Sequence, residues 1–361
     1  MPRVPSLRLI LALALVAMAA LGSTAGAQAP PAPAPTDFRA VDPAALNPLV
    51  GQPWYVDKVA APSWRSWRIL KRAGKERDAA LMMKIARNPQ FKWWGRWAGT
   101  TNPAKALRWW LNRMDKQQPG AVPQLVVARH LGKECSPTYL AGGAREDKRY
   151  RKWIKNFARV VGDRHVMIAF EPDSLGTVDC LAKSRRKARY KMLRYGVDVL
   201  SQLPNATIYL EGGASDWEHP KVVARKLRLI GVSKVRGFMV NATHKAYTKH
   251  SVQHCLEVSR LVGGKHCIVN TSHNGNGSLH YRKWIDRSRN LWRRITVWCN
   301  PPNEALGPAP TSTAVIRPDV VDGYWWIERP GFSNGTCNGG PKTGGWWKER
   351  ALMLARRANW D

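Results

Sequence analysis

Along the chain, apolar residues gather in short dense runs separated by longer amphipathic, basic stretches. Eight runs stand out: WYVD from 54, FKWWG from 91, QLVVARHL from 124, HVMIAFEPD from 165, ATIYLEGG from 206, GFMVNAT from 237, HCIVNTS from 266 and GYWWIE from 323. Their shortness and their aromatic and β-branched content predict strands, and the lack of polar alternation in HVMIAF predicts a strand covered on both faces. Segments between them, such as KALRWWLNRMDKQ and KARYKMLRYGVDVLSQL, read as helices. Strands alternating with helices imply parallel strands joined by right-handed crossovers, so the expected fold is α/β, a single β/α (TIM-like) barrel. In such barrels the C-terminal strand ends face the active site. Here those ends are Trp94, Arg129, Asp173, Glu211, Asn241, Asn270 and Glu328, a polar and aromatic rim. Residues 270–320 carry Gly, Asn and Pro throughout, and loops of that length in a compact domain are usually functional.

The termini and charge refine this picture. Residues 1–29 place Arg3 and Arg8 before an apolar core and small-residue cleavage sites, the pattern of a secretory signal too short to span a bilayer. A Pro/Ala-rich linker over 30–46 then leads into one domain over 47–361, expected to be exported, monomeric and without a membrane span. Six cysteines in an oxidising compartment predict disulfides, in any of several pairings; no CxxC or HxxxH spacing supports a metal, and no cofactor is implied. The 58 Lys and Arg against 25 Asp and Glu give a net charge of +33, a field that attracts anionic partners. The basic segments AREDKRYRKWIKNFAR, AKSRRKARYK and HYRKWIDRSRNLWRRI read as solvated outer helix faces that together form an adhesive belt for anionic cell-wall polymers or acidic glycans. No helix-turn-helix, RNP or finger pattern supports specific nucleic-acid binding.

The strand end EPDSL carries two carboxylates, Glu171 and Asp173. Cleaving a sugar linkage requires one carboxyl that stays protonated to donate to the leaving oxygen, and burial with a like-charged neighbour such as Glu171 favours that state for Asp173. The competing reading is a carboxylate satisfied by helix N-terminal amides. Among 18 tryptophans, Trp109, Trp110, Trp346 and Trp347 read as core packing. Others remain for a cleft, where flat indole faces match sugar rings.

Several motifs in order, LNPLVGQPWYV, IARNPQFKWWGRW, VVARHLGKEC, EPDSL, YLEGGASDW, GFMVNAT, VNTSHNGNG, WCNPPNEALGPAPT, WWIERPGFSNGTC and GGWWKERALMLARRA, resemble those of glycoside hydrolase family 6, the cellobiohydrolases and endoglucanases. The resemblance implies a secreted β-1,4-glucanase with a distorted, partly open barrel and an inverting mechanism on a β-glucan polysaccharide. It carries the general acid to Asp173, its tuning carboxylate to Glu134, and a cleft-floor carboxylate to Glu211. It carries sugar stacking to Trp94, Trp217 and Trp298, and cleft-lining positions to Asn300, Asn241, Glu328 and Asn334. The family's two disulfides carry over as Cys135 with Cys180 and Cys299 with Cys337, which leaves Cys255 with Cys267. Where the family has a Lys, a Glu and the proposed base Asp, this chain has Glu328, Phe332 and Asn334, and Ala128 replaces a Tyr that helps distort the sugar ring. A neutral amide takes no proton from water at neutral pH. Hence the two expectations: a hydrolase, endo-acting because its loops are too short for a closed tunnel, or a noncatalytic carbohydrate- or wall-binding protein on the same fold.

Overall fold

A computed structural model describes residues 47–129 and 144–360, so the expected export signal, the linker, Glu134 and Cys135 lie outside the described residues. The strands are β1 (Lys92–Gly95), β2 (Gln124–Ala128), β3 (Val166–Phe170), β4 (Ala206–Glu211), β5 (Gly237–Val240), β6 (His266–Asn270), β7 (His280–Asp286), β8 (Leu291–Thr296) and β9 (Val321–Trp325). Seven of them form one sheet in the order β1-β2-β3-β4-β5-β6-β9, with every pairing parallel. The eighth expected run, WYVD, makes a single bridge from Trp54 to Val122. Pro53 and Pro123 flank that bridge, and neither has an N–H with which to extend a ladder.

Strand parity separates two layers of core. Leu125, Ile168, Phe170, Leu210 and Phe238 point outward and are buried against helices α3 (Ala104–Gln117), α4 (Ala144–Val161), α5 (Lys183–Leu200), α6 (Pro220–Ile230) and α7 (Thr248–Leu261), which follow α1 (Pro62–Arg72) and α2 (Glu76–Ala86). Met167, Ala169, Tyr209, Met239, Ile268 and Trp325 point inward and fill the barrel. The sheet curls into a half-barrel whose edge strands β1 and β9 do not pair as a ladder. Instead the Phe91 amide donates to Trp326 O at 3.2 Å and the Trp93 indole donates to Ile327 O at 2.7 Å, closing the gap locally. A third cluster packs α1, α2 and α8 (Lys348–Arg356) beneath Leu306 and Trp326.

Three expectations need correction or completion. HYRKWIDRSRNLWRRI is an antiparallel hairpin, β7 with β8, whereas the other two basic segments are helical, in α4 and α5. Its cations fall on both faces, so no clean two-residue alternation of apolar and polar positions marks either strand. Trp109, expected in the core, is 62% exposed with the Arg113 guanidinium over its ring, while Trp110 one step along α3 is buried. Disulfides join Cys255 to Cys267 and Cys299 to Cys337; Cys180 is also disulfide-bonded, but its expected partner Cys135 lies outside the described residues. Among the described residues no helix is long and apolar enough to cross a membrane.

Candidate active site

Where β3 ends, the backbone turns sharply: Glu171 and Asp173 both take left-handed conformations, φ 55° and 68°, which are uncommon outside glycine. The turn sends the two carboxylates different ways. Glu171 is fully buried on the side of α4, where burial and the Glu171 charge push the Tyr150 hydroxyl well above its ordinary range. Asp173 is half-buried at the barrel mouth. Its amide donates to Glu211 Oε2 at 2.8 Å, and its Oδ1 accepts a short hydrogen bond from the Thr243 hydroxyl. That hydroxyl comes from the loop after β5, two strands away in the sheet.

Burial raises the Asp173 carboxyl above the usual range; Thr243, His244 and Lys245 pull it down, and the Glu328 charge pushes it up. Glu211, at the end of β4, is pushed to about 8 by burial and by the charge of Asp173, although it accepts hydrogen bonds from the Asp173 and Gly213 amides. The like charge acting on Asp173 is therefore that of Glu328, and Asp173 in turn acts on Glu211, in place of the sequence neighbour Glu171. Among the described residues no cation forms an ion pair with Asp173.

One wall of the site is built on Trp217. Its ring is half-buried and stacks on His244, centroids 4.7 Å apart with planes 16° from parallel. Gly176 lies beneath the indole so closely that a Cβ there would come within 2.1 Å of it, so only glycine lets the Asp173 loop pass under this platform. His244 bonds Asp216 at 2.8 Å and the Ser278 hydroxyl donates to the same carboxylate at 2.5 Å. Against the upward pull of burial, these bonds hold Asp216 at about 2. Behind the wall, the fully buried Lys226 donates to Leu175 O at 3.0 Å and Asp179 at 2.8 Å, and also bonds Glu218. One cation thus ties the segment after Asp173 to the segment carrying Trp217.

A second wall carries Glu328, buried just beyond β9 and joined to the first through the consecutive residues Thr243, His244 and Lys245. Its Oε2 accepts from Lys245 Nζ, its Oε1 accepts from the Asn334 amide at 2.5 Å, and His273 Nδ1 lies 3.5 Å away. Burial works against the charge, but Lys245, His273 and Asn334 hold Glu328 down at about 2. Burial also takes His273 down to about 3. Lys245 lies 3.8 Å from Glu304, which is paired with Arg350; burial nevertheless lifts Glu304 to about 7. The Asn334 side-chain amide donates to Glu328, and its backbone N–H donates to Asn300 Oδ1 at 2.9 Å. Lys245, not singled out in the sequence, anchors this wall.

The remaining expected residues divide. Asn241 is fully buried, donating to Asn270 O at 3.0 Å and Ala246 O at 3.2 Å, and Asn300 donates to Gly335 O at 2.8 Å and Cys337 O at 3.0 Å. Both are loop staples with their polar atoms spent internally. Trp94 is 4% exposed, edge-on to Trp110 at 5.9 Å in the outer core, because it has the outward parity of β1. The inward parity belongs to Trp93, half-buried against the barrel interior with its indole N–H on Ile327. Trp298 is 64% exposed on the chain between β8 and Cys299. Ala128 lies in the interior cluster at the end of β2. Among the described residues no group of three His, Cys, Asp or Glu side chains is placed to hold a metal ion.

Comparison with known proteins fits this arrangement. Residues 49–358 match the sequence profile of the "Glycosyl hydrolases family 6". The chain is 32% identical over 308 residues to Endoglucanase A of Cellulomonas fimi, a match covering 85% of this chain and 62% of that protein. Against Endoglucanase 1 of Streptomyces halstedii it is 28% identical over 273 residues, covering 74% and 77% respectively. Among solved structures it resembles the endoglucanase Cel6 of Mycobacterium tuberculosis in complex with methyl-cellobiosyl-4-deoxy-4-thio-β-D-cellobioside, with TM-score 0.72 and 31% identity over 86% of this chain and 98% of that one.

Proposed function

The chain belongs to family 6 of the glycosyl hydrolases, and from that premise we propose that it is an exported, endo-acting hydrolase of β-1,4-glucan that inverts configuration, with Asp173 as general acid. The observation that carries the assignment is the placement of Asp173: at the mouth of the half-barrel, half-buried, without an ion-pair partner among the described residues, and held toward its protonated form. The endoglucanase names of the relatives, and the thio-linked cello-oligosaccharide bound by the Mycobacterium tuberculosis protein, support the choice of substrate. The disulfides support export.

In the proposed step Asp173 gives its proton to the glycosidic oxygen as the bond from that oxygen to the anomeric carbon breaks. Water adds to the anomeric carbon from the other face, and its spare proton goes to a carboxylate. We assign that acceptor to Glu328, which is ionised, hydrogen-bonded on both oxygens, and near enough for its charge to act on Asp173. A carboxylate held at about 2 is a weak base, so turnover is slow. A second reading, a carbohydrate-binding protein without turnover, draws on the same observation: Asn334 supplies an amide to Glu328 and no carboxylate of its own.

The test is to incubate the protein with cellohexaose and follow products by NMR. The α-anomer appears first if the reading holds. Binding of intact cellohexaose without cleavage selects the second reading.

A further inference from the structure

The hairpin β7–β8 differs from the rest of the fold in how little supports it. Among the described residues neither strand packs substantially against any other strand or helix. Tyr281, Ile285, Leu291 and Trp292 are exposed, as are the arginines and lysine between them. An isolated two-stranded ribbon is marginal in water. Its register adds a further cost: Arg282 lies directly opposite Arg294 on one face, and Lys283 opposite Arg293 on the other. Like charges in that position destabilise a strand pair. Over 280–296 the sequence has six Arg and Lys and one acid, Asp286, so the segment cannot neutralise itself.

The arrangement on one face is specific. Trp284 and Trp292 are cross-strand partners with ring centroids 3.3 Å apart, and the Arg282–Arg294 pair is next along the same face. The two indoles are tilted by 31°, and an exposed outer indole face takes the C–H face of a pyranose, while the planar guanidinium fork matches a carboxylate. Two residues along a strand separate the aromatic step from the cationic step by roughly 6.7 Å. The root of the hairpin joins the candidate cleft. Ser278 bonds Asp216, the partner of His244 under Trp217, and Gly277, at φ 70°, packs on Tyr247 where a Cβ would come within 2.4 Å of the ring.

We propose that the face formed by Arg282, Trp284, Trp292 and Arg294 binds an acidic, uronate-bearing polysaccharide, with carboxylates between the opposed guanidiniums and a ring on the indoles. Bound carboxylates offset the repulsion that the hairpin carries alone. A neutral glucan supplies no such charge, and a nucleic acid duplex keeps its rings stacked away from indoles. The choice of a glycan rests on the reading of the cleft as a sugar site, but binding at the hairpin does not depend on turnover.

The test uses the full chain, unmodified and as Asp173→Asn, with polygalacturonate as probe beside neutral cellohexaose, duplex DNA and phosphatidylglycerol vesicles, at low and high salt. Expected are polygalacturonate binding equal in both proteins, slowed amide exchange over 280–296, and about tenfold weaker binding in the Arg282→Gln/Arg294→Gln double variant, with a salt slope lower by about two. Trp284→Ala weakens polygalacturonate binding while preserving the salt slope. Arg282→Lys keeps the charge but loses the fork, and falls between. Hydrolysis of cellohexaose is unchanged in all the hairpin variants, which also checks their folding. Equal binding by the Gln double variant, unchanged amide exchange, or preference for DNA or vesicles would overturn the proposal. Failure of cellohexaose cleavage with hairpin binding intact would instead overturn only the assignment of turnover.

Discussion

The two walls of the cleft treat a carboxyl in opposite ways. On the Trp217 side, burial raises both Asp173 and Glu211, the Glu328 charge adds to the first and the Asp173 charge to the second, and neither has an ion-pair partner among the described residues. On the β9 side, Glu328 is just as hidden, but Lys245 and Asn334 bond its two oxygens and it is lowered to about 2. Burial is common to both; the partner decides the outcome. Groups pushed apart in this way are the usual sign of an acid and an acceptor divided between two walls.

Removing the acid is the largest break. Asp173→Asn keeps the backbone hydrogen bond to Glu211 and loses the proton, so kcat on cellohexaose falls by about 10²- to 10⁴-fold with KM little changed. On the other wall, Lys245→Met leaves Glu328 buried and without its cation, which costs about 3–5 kcal/mol of stability by denaturant titration. Asn334→Asp places a second carboxylate against Glu328; like-charge repulsion raises one of the two, and the better base lifts kcat by about tenfold. A null effect there would remove Glu328 as acceptor.

The smallest effect is in the pH dependence of stability. Glu211 binds its proton more tightly folded than unfolded, so its contribution is present below its unfolded value near 4.5 and is lost as pH rises toward about 8. Glu328 has the opposite sign: its contribution is present above 4.5 and is lost as pH falls toward about 2. In Asp173→Asn the neighbouring charge on Glu211 is gone, so the decline between pH 4.5 and 8 becomes shallower while the acid side is unchanged. Melting curves across pH for the two proteins read both limbs.

Much of this was legible in the chain. Seven of the eight apolar runs became the sheet because each is flanked by turn residues and rich in residues suited to a pleated core. The placement of Asp173 at the barrel mouth was legible because it follows the C-terminal end of so apolar a strand. Trp94 was misplaced for a reason internal to strands: FKWWG has two adjacent indoles, and a shift of one position exchanges inside for outside. Alternation counted from Phe91, which faces the interior, would have chosen Trp93. Lys245 was invisible because its partner Glu328 is 83 residues away and no local pattern links NATHKAY to WWIERP. Asn241 and Asn300 have the composition of a binding site and the geometry of staples, a difference that only their partners reveal.

Lys226 has a consequence for how the cleft moves. Because one ammonium on α6 grips Leu175 O, Asp179 and Glu218, the loop after Asp173 and the segment carrying Trp217 share a single anchor on an outer helix. Replacing Lys226 on α6 would therefore loosen Asp173 and Trp217 together, from a position behind both.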